Sequence, residues 1–138
     1  MTRDQQRLAD YLDHILEAIA RIRRYVEDID EVVFLRNEMA QDAVIRNFEI
    51  IGEASHNIEQ RYPAFAVEHP ELPLAFAYQM RNAVAHGYFK VDLDIVWQTI
   101  HADLPGLFEQ VRQIRQALPS DNVGVADLPN RSPAADST

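Results

Sequence analysis

The eight residues Arg81-Asn82-Ala83-Val84-Ala85-His86-Gly87-Tyr88 gather side chains suited to phosphate chemistry. Arginine holds a phosphate through two parallel N–H bonds and stays charged at any working pH. Asn82 offers a donor and an acceptor on one amide. His86 is of the type that takes or gives a proton near neutrality. Gly87 is placed to stop a helix, and Tyr88 sets a phenol just beyond that stop. Arg81, Asn82 and His86 are therefore candidate catalytic residues.

A plainer use exists for the same residues. Cations near a helix C-terminus favour its dipole and cap its last carbonyls, which Arg81 and His86 could do without any chemistry. Helix geometry also limits the catalytic reading. Five residues turn a helix by about 500°, so the two side chains diverge by about 140° and stand about 7.5 Å apart along the axis. Either His86 lies in a last turn whose direction the helix no longer fixes, or the site forms between two copies across a two-fold axis. In the second case one motif's arginine meets the other's histidine. The chemistry would need no metal: a histidine takes the proton of a ribose 2′-hydroxyl, that oxygen attacks the adjacent phosphate, and arginine stabilises the growing charge. DNA lacks the 2′-hydroxyl and would be spared.

The positioning elements are all helical. Leu8, Tyr11, Leu12, Ile15, Ile19, Ile22 and Val26 recur at steps of three and four and describe one amphipathic helix. Asp28, Asp30 and Glu31 close it or begin the next turn. A second helix is expected over roughly 37–61, with a wide apolar stripe including Ala40, Val44, Phe48, Ile51 and Ile58. Gly52 in its middle costs about 1 kcal/mol against Ala, which points to a close backbone approach. Tyr62-Pro63 should end that helix, followed by a turn-rich connector through Pro70. Pro73 suits the first turn of a third helix over about 73–86. Asp92 or Asp94 can cap a fourth, which Pro105 kinks or restarts with Asp103 as cap. From Pro119 onward Pro, Ser, Asp, Asn and Gly dominate, so residues 119–138 read as a disordered tail behind a 1–118 domain. The pattern predicts an all-α antiparallel bundle of four to five helices.

Composition narrows the class further. The 138 residues contain no cysteine, which excludes disulfides and thiolate metal sites. No signal core follows Met1, and no apolar run approaches the ~18 residues of a membrane span, so a soluble cytoplasmic protein without a membrane partner is expected. The net charge of −9 disfavours non-specific nucleic-acid coating. The cations, however, are twelve Arg and the single Lys90, which suits a shaped phosphate pocket more than diffuse attraction.

Arg81-Asn82-Ala83-Val84-Ala85-His86 resembles the Arg–polar–x-x-x-His motif of HEPN-domain ribonucleases, and His86-Gly87-Tyr88 extends it toward the HepT branch. The flanks share the likeness: Arg46-Asn47-Phe48-Glu49-Ile50-Ile51-Gly52-Glu53-Ala54 before it, and Val91-Asp92-Leu93-Asp94-Ile95-Val96-Trp97 after Gly87-Tyr88-Phe89. It covers roughly residues 5 to 117. The resemblance implies a homodimeric HEPN bundle acting as the endoribonuclease toxin of a type VII-like toxin–antitoxin system. It further implies Arg81 and His86 in catalysis at a composite dimer cleft, and Asn82 as the polar second position. A cognate MntA-type minimal nucleotidyltransferase antitoxin would silence it by AMPylation, transferring AMP from ATP to Tyr88. The toxin itself would need no cofactor, ATP being used by the partner enzyme, and its substrate would be RNA. A different class stays in view: a non-catalytic helical subunit that binds a nucleotide phosphate and presents a substrate to a nucleotidyltransferase. A plain structural dimerisation bundle is the third reading.

Other constellations carry less. Glu53-Ala54-Ser55-His56 has the Glu-x-x-His spacing of di-iron bundles, but such sites need a second copy of the motif, which the chain lacks. Glu49 and Glu53 are expected to pair with Arg46 or brace the cleft. His14 with Glu17, and His101 with Asp103, read as solvated faces, and Trp97 and Phe108 as core. No glycine-rich phosphate loop and no Gly-x-Ser-x-Gly is present, which leaves ATP hydrolysis and serine-hydrolase chemistry without support.

Overall fold

The apolar stripes fold as their periodicity dictates. The computed structural model describes residues 3–85 and 92–118, and within them every regular element is a helix. The first, α1 (Arg3–Val26), buries Leu8, Leu12, Ile15, Ile19, Ile22 and Val26 along one stripe. Asp30 then caps a single turn, α2 (Glu31–Phe34), its carboxylate accepting from the Val33 N–H at 2.9 Å. That turn drives Phe34 into the core against Trp97, with ring centroids 5.2 Å apart. Asn37 caps α3 (Glu38–Arg61), accepting from the Ala40 N–H at 3.0 Å. After α4 (Pro63–Glu68) come α5 (Leu74–Ala85), α6 (Leu93–Ala102) and α7 (Leu104–Ala117). Asp92 caps α6 by accepting from the N–H groups of Asp94 and Ile95. No described helix is long and apolar enough to cross a membrane.

Five of these helices, α1, α3, α5, α6 and α7, are the ones the periodicity predicts; α2 and α4 are additional. Tyr62-Pro63 does end α3, yet the connector restarts at once as a six-residue helix. Proline is tolerated there because the first helical N–H has no partner to lose and its φ is already helical. Asp103 lies at the joint between α6 and α7 as expected, but its side chain makes no capping bond. Its own backbone is already helical, whereas a capping side chain needs an extended one to reach forward. Pro105 therefore sits inside the first turn of a restarted helix. The 119–138 segment lies outside the described residues.

The long helices run antiparallel. Tyr62 at the end of α3 donates its hydroxyl to the Asp4 carbonyl near the start of α1 at 2.7 Å. Desolvation holds that phenol above its ordinary pKa, so it stays a donor. On the far side, Arg115 of α7 pairs with Asp13 of α1 at 2.9 Å while the Arg23 guanidinium sits over Phe108 at 5.1 Å. Between α3 and α5, His56 stacks on Tyr78 with ring centroids 4.0 Å apart, and Glu53 meets Arg81 three residues further along α5. The α3 helix is thus the hub, packed on α1, α2, α4 and α5.

Gly52 sets the spacing of α3 and α5. A Cβ at Gly52 would lie 2.0 Å from Arg81 Cβ, 2.7 Å from its Cγ and 2.9 Å from the Ala77 carbonyl oxygen. These atoms belong to, or sit next to, the α5 backbone and cannot swing aside. Gly52→Ala gains about 1 kcal/mol of helix propensity and incurs overpacking of up to ~3 kcal/mol. A net loss of about 2 kcal/mol is expected in chemical denaturation, and an unchanged or raised midpoint would show that α5 yields freely.

Candidate active site

The sequence singles out Arg81, and the fold explains what holds it. Its Cβ and Cγ lie over the glycine gap in α3. From there the guanidinium reaches Glu53, with Nη2 3.0 Å from Oε2, and donates from Nη1 to Asn82 Oδ1 at 2.9 Å. The Arg81 side chain is 26 % exposed and Glu53 52 %. Nε is buried without a hydrogen-bond partner among the described residues. Two of the five N–H donors of the guanidinium are thus engaged and a third, on Nε, is buried, which leaves one N–H on each terminal nitrogen to meet an anion such as phosphate. Asn82, the polar second position of the motif, fixes one edge of its neighbour.

Arg81 also lines a cleft of about 350 Å³ whose other walls are α1 and α3. From α1 come Tyr11 and His14; from α3 come Arg46, Glu49, Glu53 and Asn57. Among the described residues Arg81 is the one contribution of α5 to this cleft. It gets there because Gly52 offers no side chain to obstruct it. Charges inside are matched: Arg46 lies 3.7 Å from Glu49, and Arg81 3.0 Å from Glu53. Glu49 thus pairs with Arg46 as expected, whereas Glu53 pairs with Arg81 and lines the cleft from there.

Not every candidate is brought together. His86 and Tyr88, with the Gly87 stop between them, lie outside the described residues. His56 of the Glu53-Ala54-Ser55-His56 run packs its ring on Tyr78, with planes 15° apart. Among the described residues no three His, Cys, Asp or Glu side chains converge as metal ligands would. His101 is exposed and faces its own helix, with Nδ1 3.0 Å from the Trp97 carbonyl oxygen.

Sequence reasoning missed two cleft residues. Tyr11 reads as part of the apolar stripe and His14 as a solvated face, yet both line the same cleft as Arg81. Their spacing held the signal. Residues three apart share a helix edge, and two aromatic rings on the border of an apolar stripe face whatever packs beside it.

The comparisons with known proteins bear on the same region. A family model described as ribonuclease HepT-like matches residues 15–114. A probable ribonuclease HepT of Thermococcus cleftensis is 41% identical over 107 residues, covering 75% of this chain and 94% of that protein. A Methanocaldococcus jannaschii protein, named a gamma-glutamylcyclotransferase and provisionally an RNase, is 38% identical over 108 residues, covering 78% of this chain and 47% of that one. A provisionally named RNase of Caldanaerobacter subterraneus subsp. tengcongensis is 34% identical over 106 residues, covering 77% of this chain and 92% of its own. No solved structure matches the chain.

The Arg81–Glu53 pair is half exposed, so its role is orientation more than stability. Exposed ion pairs contribute roughly 0–1 kcal/mol. Glu53→Gln is expected to change unfolding free energy by less than about 1 kcal/mol in urea titrations. A larger loss would make the pair a structural tie.

Proposed function

The chain belongs to the ribonuclease HepT-like family, and from that premise we propose that it is a metal-independent endoribonuclease acting as the toxin of a type VII-like toxin–antitoxin system. The observation that carries the reading is the Arg81 guanidinium, held by Glu53 and Asn82 with donors left open at the mouth of a cleft. Such a group binds the scissile phosphate and stabilises the charge that grows on its oxygens. His86 is the proton acceptor: it takes the 2′-hydroxyl proton, the 2′-oxygen bonds to phosphorus, and the bond to the 5′-oxygen breaks. A second histidine, His86 of the partner subunit, returns a proton to that leaving oxygen. The products are a 2′,3′-cyclic phosphate and a free 5′-hydroxyl. Every charge and proton in this scheme is handled by side chains, so no cofactor is called for.

In this reading the active form is a homodimer in the cytoplasm. Each copy supplies an arginine and a histidine to one composite cleft, which concentrates positive charge on an otherwise acidic protein. The proposed off-switch is Tyr88. A cognate MntA-type nucleotidyltransferase transfers AMP to its phenol, the tyrosine oxygen attacking the α-phosphate of ATP and pyrophosphate leaving. The added phosphodiester and purine compete with substrate beside Arg81 and His86.

The pairing of Arg81 with Glu53 favours one other reading. A guanidinium whose charge is already balanced suits ground-state nucleotide binding, as in a non-catalytic subunit that presents a substrate to a nucleotidyltransferase.

Expression without the partner gene separates the two. Wild type should arrest growth, and Arg81→Ala or His86→Ala should relieve it, with purified RNA cleavage falling about 10²–10⁴-fold for the histidine variant. Mixed dimers of the two variants should recover part of the activity, since one arginine and one histidine then share the cleft. Equal growth of wild type and His86→Ala would overturn the ribonuclease reading. Incubation with the nucleotidyltransferase and ATP should add adenylate mass to wild type and none to Tyr88→Phe, by intact mass spectrometry. Labelling that persists in Tyr88→Phe would move the switch to another residue.

A further inference from the structure

We propose that the cleft between α1 and α3 is a nucleobase subsite, in which one ring of the Tyr11–His14 pair stacks on the base of a nucleotide adjoining the phosphate held by Arg81 and the other meets the edge of that base. The identification of the ligand as RNA rests on the ribonuclease reading; the chemistry of the pocket does not.

Charge is the first argument. The cleft contains Arg46 and Arg81 but also Glu49 and Glu53, each arginine lying beside one glutamate. A pocket balanced in this way has no charge surplus to spare beyond the open donors of Arg81, because a carboxylate stands beside each arginine. It suits a neutral ligand that offers both donors and acceptors on its edge, and a nucleobase is one. Asn57 adds an amide that reads either kind of group.

Shape is the second. The Tyr11 and His14 rings stand 6.4 Å apart with planes 77° from each other, forming a corner: one ring offers a face for stacking, the other its edge. Stacking on such rings is how unpaired bases are held, and it tolerates any base because every base has a π face. Tyr11 is prepared for the task. Tyr62 meets its ring edge-on at 6.5 Å, and the Tyr62 hydroxyl is tied to the Asp4 carbonyl. A ring fixed before the ligand arrives loses little entropy on binding.

Position is the third. If Tyr11 served only the core, it would be covered as its stripe neighbours are. Leu12 and Ile15 are 0% exposed, whereas Tyr11 is half-buried on the cleft wall and His14 is exposed. Arg81 lines the same cleft, so a phosphate on its open donors leaves the neighbouring base beside the two rings. This would let an acidic protein hold RNA through stacking as well as charge.

A short 2′-O-methyl oligoribonucleotide tests the subsite without cleavage, since its 2′-oxygen carries no proton to remove. Binding would be read by fluorescence anisotropy, with one abasic residue moved through each position in turn. At one position, loss of the base should weaken binding to wild type about tenfold. Tyr11→Ala should weaken the intact oligonucleotide by a similar factor, and the abasic substitution should then add nothing. Tyr11→Phe should behave as wild type. His14→Ala should weaken binding with no change in melting temperature, which covers the chance that Tyr11→Ala loosens the fold. The proposal is overturned if no abasic position matters by more than about twofold, if the two losses multiply, or if the oligonucleotide does not bind. Arg81-dependent cleavage of natural RNA in that last case would leave the ribonuclease reading standing. Base-dependent binding with no cleavage would remove that reading and keep the subsite.

Discussion

One backbone approach governs the site. At Gly52 the α3 helix has no Cβ, and α5 comes close enough for the Arg81 Cβ to occupy the vacated volume. Three consequences follow from that single missing atom. The two helices pack closely along their length, which brings Tyr78 onto His56 and Arg81 onto Glu53. The arginine stem lies against α3 while Glu53 and Asn82 hold the head, which leaves it few places to go. And the head emerges in a cleft that belongs to two other helices, α1 and α3. A guanidinium on a free surface would lose much rotamer entropy on gripping a phosphate; one threaded over a helix backbone has lost much of it on folding. Helix propensity is given up at Gly52 so that the side chain of another helix can be placed.

The electrostatics follow the same economy. A chain of net charge −9 would repel RNA if its cations were spread evenly. In the cleft the arginines are paired, which keeps the pocket near neutrality and the guanidiniums oriented. Lysine would serve poorly in this position. Its ammonium is a strongly hydrated point charge, whereas the planar guanidinium bonds Glu53 on one nitrogen, Asn82 on another, and still presents donors in a fixed plane. Charge matching of this kind weakens diffuse attraction, and in the proposed subsite the aromatic pair of Tyr11 and His14 would make up the difference by stacking.

The parts of this structure that were legible in the sequence are those fixed by local physics. The stripe from Leu8 to Val26, the cap at Asp92, and the stop at Tyr62-Pro63 each depend on a few neighbouring residues and fold as read. Gly52 was legible too, because a glycine that weakens a helix interior needs a compensating contact. The α4 helix was not. Pro63 carries two messages, the end of one helix and the first residue of the next, and tertiary packing decides whether the second is used. Asp103 shows the converse, a capping residue in a capping position whose helical backbone points its carboxylate elsewhere. The cleft itself was the least legible feature. Tyr11 and His14 are separated from Arg81 by about seventy residues of chain, and no spacing rule reaches across helices. Family membership supplies the reaction class, while the motif residues His86 and Tyr88 rest on sequence alone.

The fixed direction of Arg81 sharpens the case for a shared site. Its side chain is committed to the α3 side of α5 by Gly52 and Glu53. A residue five positions further along a straight helix points about 140° away from that side, and the rise adds about 7.5 Å. The cleft that Arg81 enters is walled by α1 and α3, on the side of α5 that faces α3. On the ribonuclease reading, a phosphate on Arg81 would then need either a last turn that departs from the straight helix or a proton acceptor from elsewhere. The proposed dimer takes the second route, because a two-fold axis presents the motif in reverse and can turn the opposite face toward the arginine. In that proposed arrangement, the tighter the α3–α5 contact holds Arg81, the more the second copy has to supply.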